Sequence, residues 1–206
     1  MLFDILALLS TLTIILLLKR LVNIFPSLVA CMLRWKESVN LDASVKQSMD
    51  RNMLAAAMIM PFCLVADRFN LYDPSFMEGM GPGMHLVVTT GVFLAYCLIR
   101  VITTSAVRPQ KMNPKTYMTA GKVSFTFFII LTIILVATGG LLTFVNVDDA
   151  AIRSAMLWIS IIIYALFLLR KTQIFASGCS IFAAFLYLCA LEIIPTGVLV
   201  ASALIF

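Results

Sequence analysis

Apolar residues in this chain fall into long, nearly unbroken runs, and the charged residues fall in the short segments between them. The runs cover residues 2–18, 51–69, 85–107, 123–145, 150–169 and 174–194. Most are close to the roughly 20 residues that an α-helix, rising about 1.5 Å per residue, needs to cross about 30 Å of hydrocarbon. The pattern predicts an all-α fold, a polytopic transmembrane helical bundle of about six spans forming a single integral membrane domain over residues 1–206.

Two stretches depart from simple spans. Residues 19–50 mix Arg34, Trp35, Lys36, Glu37, Asp42 and Lys46 with apolar positions. Leu21, Val22, Phe25, Leu28, Val29, Met32 and Leu33 recur at helical spacing, with Pro26 as a kink, which predicts an amphipathic helix at the cytoplasmic interface between spans one and two. The last apolar stretch, residues 174–206, would measure about 50 Å as one helix, too long for an upright span. Pro195 favours a break near Glu192, leaving residues 195–206 as an interfacial tail or a helix extension. Pro61 is expected to kink the second span, and Gly79-Met80-Gly81-Pro82-Gly83 punctuates the loop after it.

The charges give this bundle a direction. With alternate sides assigned, the segments after spans one, three and five hold thirteen of the fifteen Lys and Arg residues, from Lys19 and Arg20 through Arg108, Lys111, Lys115 and Lys122 to Arg170 and Lys171. Only Arg68 and Arg153 fall on the other face, together with Asp4, Asp67, Asp73, Glu78, Asp148, Asp149 and Glu192. The positive-inside rule then places both termini outside the cytoplasm. Asp4 before the first run and Lys19-Arg20 after it reverse the order of a secretory signal, so the first helix reads as retained.

Composition agrees with lipid as the solvent. The 206 residues are 62% hydrophobic and 12% charged, with a mean hydropathy of +1.06, whereas a soluble domain is nearer half apolar and a quarter charged. The net charge of +5 is dispersed over loops and follows topology, so no nucleic-acid partner is expected. The expected partners are the bilayer itself, anionic lipid headgroups near the basic loops, and another membrane protein.

Chemistry-bearing patterns are few. The single histidine, His85, leaves no room for a multi-histidine site, and neither H-E-x-x-H nor G-x-S-x-G occurs. Cys31, Cys63, Cys97, Cys179 and Cys189 show no C-x-x-C spacing and read as small buried hydrophobes. No metal, cofactor or catalytic residue is expected. Gly139-Gly140 would let a neighbouring helix approach closely.

Polar residues inside the hydrocarbon need a partner, an escape to water, or a function. Arg100 either snorkels to the inner headgroups or plays a buried role. Glu192, counted about eighteen residues beyond Ile174, is expected near the outer side, where Arg68, Asp67, His85 and Arg153 begin or end their spans. Together they form the candidate polar cluster. Its role is either a charge pair that locks packing, or proton relay, ion binding or catalysis.

The phrase Tyr187-Leu188-Cys189-Ala190-Leu191-Glu192-Ile193-Ile194-Pro195 resembles the closing signature of a family of bacterial polytopic membrane proteins of unknown function. The resemblance implies a bacterial inner-membrane location and a deliberate local structure around Tyr187, Cys189, Glu192 and Pro195, but no activity. The leading expectation is a non-enzymatic accessory or assembly component of an envelope complex. The alternative is a small transporter or lipid-handling protein that uses Glu192 with the outer-side Arg/His cluster.

Overall fold

The computed structural model describes residues 2–77, 79–106 and 114–205. Glu78, Arg108 and Lys111 lie outside the described residues, as does the side chain of Lys115. The chain is a bundle of helices: α1 (Leu2–Leu33), α2 (Trp35–Ala43), α3 (Val45–Ala57), α4 (Ile59–Arg68), α5 (Pro82–Ala106), α6 (Pro114–Phe144), α7 (Asp149–Ala176), α8 (Ile181–Leu188) and α9 (Ile194–Ile205). A 3₁₀ turn at Ser75–Met77 lies between α4 and α5, and a π-turn at Cys189–Ile193 joins α8 to α9. Six segments are long and apolar enough to cross a membrane: Asp4–Leu33, Val45–Arg68, Gly83–Ala106, Thr116–Phe144, Asp149–Ala176 and Ile181–Ala203. The chain is an integral, multi-pass membrane protein.

The break between span one and the interfacial element comes later than the charges suggest. Lys19 and Arg20 do not end α1, because Arg20 places its guanidinium 3.0 Å from Asp50 of α3. The helix runs on through Pro26 to Leu33, burying Ile24, Leu28 and Cys31 on one face. Arg170 of α7 then holds its end, donating from Nε to the Met32 carbonyl and from Nη2 to the Leu33 carbonyl, both at 2.8 Å. These carbonyls lack helical partners and carry the negative end of the helix dipole, so a guanidinium suits them. The interfacial helix is the short α2, held by Leu41 in the core and by Asp42, whose carboxylate lies 2.8 Å from the buried Arg51 and 3.6 Å from Lys122.

Span two begins at Val45, six residues before the apolar pattern suggests, and is broken at Met58. Pro61 accounts for the break, since its ring crowds the Ala57 carbonyl and it donates no hydrogen bond. The last span runs on without ending at Pro195. Pro195 sits in the first turn of α9, where a missing N–H costs little. The preceding turn widens so that the Ile194 N–H reaches the Cys189 carbonyl, five residues back.

α6 runs through the middle of the bundle, packing along α7 and touching α1, α2, α3 and α4. Phe127 and Val123 of α6 meet Phe167 and Ile163 of α7, with Leu191 completing the layer. In lipid the solvent is as apolar as these side chains, so close packing rather than water exclusion joins the helices. Gly139 is the clearest case. A Cβ there would lie 2.6 Å from the Met156 methyl and 3.0 Å from the Phe69 ring, whereas one at Gly140 meets nothing within 4 Å. Gly139→Leu is therefore expected to lower the Tm of the detergent-solubilised protein, at a cost of about 1–3 kcal/mol for overpacking. Gly140→Leu should leave the Tm within error, and thermal unfolding of the two variants side by side measures the difference.

Candidate functional site

Glu192 lies in the π-turn, and its side chain is 1% exposed. Two cations converge on it from two other helices. Lys171 of α7, 2% exposed, forms an ion pair with Oε1. Arg100 of α5 places Nη2 2.6 Å from Oε1 and 2.6 Å from Oε2. Only Oε1 receives aligned hydrogen bonds, and Oε2 is buried without one among the described residues.

Helix direction explains this convergence. Cα–Cβ bonds tilt toward a helix's own N-terminus. α5 and α7 both run toward the end of the bundle that carries α2, so Arg100 and Lys171 lean away from that end and deeper into the bundle. α8 and α9 run the opposite way, so Glu192 leans back toward them. Arg100 thus turns inward to a carboxylate, although its position near the end of a span suggests snorkelling.

Aromatic rings surround the cations. Phe167 lies between them, 5.4 Å from the Arg100 guanidinium carbon and 5.7 Å from Lys171 Nζ, and Phe175 is 5.6 Å from Nζ. Ring faces of this kind replace part of the lost hydration of a cation. The Tyr164 hydroxyl donates to the Glu192 backbone carbonyl at 3.1 Å, and the Tyr96 hydroxyl is 3.1 Å from Thr196 Oγ1. Tyr187 stacks obliquely on Phe175 at 6.3 Å, Cys189 opens the π-turn, and Pro195 follows it in α9.

The remaining expected residues form a separate group at the opposite end of the bundle. His85 Nδ1 is 2.5 Å from Asp67 Oδ1, and His85 Nε2 is 3.9 Å from Asp73. Arg153 approaches the same Asp73 at 3.9 Å. Asp67, His85 and Arg153 therefore do come together, with Asp73 as the bridge, but without Glu192. Arg68 is exposed and belongs to neither group. Glu192 is absent from this group because the last helix starts at Ile181 and not near Ile174, which sets the carboxylate about 16 Å from that start rather than at the far side.

Lys171 is the member of the Glu192 cluster that composition hides. It closes an apolar run beside Arg170 and looks like a loop charge. Its helical spacing from Tyr164, Phe167 and Phe175 was the available signal, since those three positions share its face. All five cysteines are free. Among the described residues no three His, Cys, Asp or Glu side chains gather as a metal site. The chain matches no protein-family model, no curated protein and no solved structure.

Removing one member of a buried ion pair leaves an uncompensated charge and costs about 3–5 kcal/mol. Glu192→Gln leaves two cations side by side, whereas Lys171→Met leaves a balanced Arg100–Glu192 pair. The Tm is expected to fall further in Glu192→Gln than in Lys171→Met. Equal losses in a thermal melt would contradict this account.

Proposed function

We propose that the protein is a non-enzymatic component of a bacterial inner membrane, an accessory or assembly subunit of an envelope complex, with both termini outside the cytoplasm. One observation carries this reading. Glu192 is sealed between Arg100 and Lys171, so its charge ties α5, α7 and the α8–α9 junction together. A carboxylate that cycles protons or ions must exchange partners with water, and one that is 1% exposed with two cations on it is suited to a strut. The orientation draws support from the α2 end, where Arg34, Lys36, Arg51, Lys122 and Arg170 lie, against Arg68 and Arg153 at the other. We also retain the kinship suggested by the Tyr187–Pro195 phrase, whose residues build the π-turn.

The transporter or lipid-handling reading draws on a different observation, the partly open flank of Arg100. It loses its original site, because Glu192 stands apart from Asp67, His85 and Arg153. Reciprocal affinity purification from native membranes in a mild detergent decides between the two. The accessory role predicts one defined protein partner at fixed stoichiometry, recovered whichever member carries the tag. A monodisperse, partnerless monomer overturns it.

A further inference from the structure

The charge cluster is unbalanced. Counted at their formal charges, Arg100 and Lys171 bring two positive charges, and Glu192 is the one described acid that pairs with either. The formal balance is one surplus positive charge inside a membrane bundle, where an uncompensated charge is strongly disfavoured. The surplus has an outlet, because Arg100 is 22% exposed while its two partners are sealed. A guanidinium carries five N–H donors, and among the described residues only Nη2 of Arg100 is engaged. Its Nε–H and both Nη1–H groups have no acceptor there, and with the second hydrogen of Nη2 they leave one edge of the guanidinium free for bidentate contact with a phosphate.

The surroundings provide a route to that edge. Thr103 and Thr104 lie one turn nearer the α2 end on the same face of α5, and their hydroxyls donate back to the Arg100 carbonyl at 3.0 and 2.7 Å. Ser105 follows before the helix ends at Ala106. The Tyr117 hydroxyl donates to the Thr104 carbonyl at 2.7 Å, which aligns α5 with the antiparallel α6. Counting from that contact, Arg100 and Lys122 lie about 6 and 8 Å deeper. Arg100 therefore sits near the level of Lys122, the last charged residue of α6, where a headgroup phosphate comes within reach.

We propose that the open edge of Arg100 is a binding site for one phosphate-type oxyanion, which completes the neutralisation of the Arg100–Glu192–Lys171 cluster. The two sources are an anionic phospholipid of the adjoining leaflet and a soluble phosphate. The test uses the full-length protein, delipidated in dodecyl maltoside and followed by thermal shift. It is titrated separately with phosphatidylglycerol, with phosphatidylcholine of the same acyl chains, and with inorganic phosphate.

Saturable stabilisation by phosphatidylglycerol, at least tenfold tighter than by phosphatidylcholine, supports the site and identifies a lipid. Stabilisation by inorganic phosphate at millimolar concentration supports it and identifies a free oxyanion. Equal response to the two lipids with none to phosphate, or no response at all, overturns it. Arg100→Lys keeps a charge for Glu192 but loses the second edge, and should weaken binding at least tenfold. Lys171→Met keeps the Arg100–Glu192 pair and removes the surplus charge, so it should weaken binding even where Arg100→Lys does not purify. Lys46→Gln, an exposed charge at the same end, should change affinity less than twofold. Wild-type affinity in Lys171→Met, or a loss in Lys46→Gln as large as that in Arg100→Lys, overturns the proposal.

Discussion

An ionised carboxylate within a membrane bundle has to find its counter-charge inside the protein, and much of the bundle's arrangement follows from where Glu192 finds its own. Water cannot supply the compensation at 1% exposure, and lipid tails offer none. The cations come from helices distant in sequence, Arg100 on α5 and Lys171 on α7. Their ion pairs fix the depth of three helices relative to one another, which apolar packing in lipid leaves loosely specified. Phe167, in contact with both cations, makes the arrangement as much aromatic as ionic.

The same economy of polar groups recurs at both ends of the bundle. At the α2 end, Arg51 is 1% exposed and holds Asp42 at 2.8 Å, anchoring α2 to α3, while Arg170 receives the last carbonyls of α1. At the opposite end, His85 links the end of α4 to the start of α5 through Asp67, and Asp73 extends that link toward Arg153. Asn70 and Asn146, each at positive φ, terminate α4 and α6 with the N–H of the next residue bonded five residues back, from Leu71 to Ala66 and from Val147 to Leu142. These are left-handed helix caps that Asn tolerates well. Charged side chains and left-handed backbone caps thus do at the helix termini what packing does between them.

Much of this was legible in the residues, and the failures share a cause. Six apolar runs of spanning length appear as six spans, and Gly139 sits at the close approach that its lack of a side chain suggests. Arg68 and Asp149 bound α4 and α7 close to where the pattern puts them, but three other charge-marked ends differ. Lys19-Arg20 lie within α1, Arg51 lies within α3, and Arg170-Lys171 lie before the end of α7. A lysine or arginine at the edge of an apolar run has the same local pattern whether it faces water, caps another helix or enters a core. The difference depends on which helix stands opposite, and that is tertiary information. Lys171 and Arg100 could be assigned to Glu192 only once α7 and α5 were seen beside the π-turn.

The π-turn has a consequence of its own. Closing a hydrogen bond over five residues instead of four inserts one residue into the winding, and one residue of an α-helix turns by about 100°. α8 and α9 therefore share a path across the membrane while presenting different faces along it. Upstream, Tyr187 is directed to Phe175 of α7. Downstream, Thr196 meets Tyr96 of α5, and Ser202 meets Tyr72 beyond α4. A regular helix through Cys189–Ile193 would keep one set of these contacts and swing the other toward lipid. The last span works as a two-sided joint whose phase is set by a single extra residue.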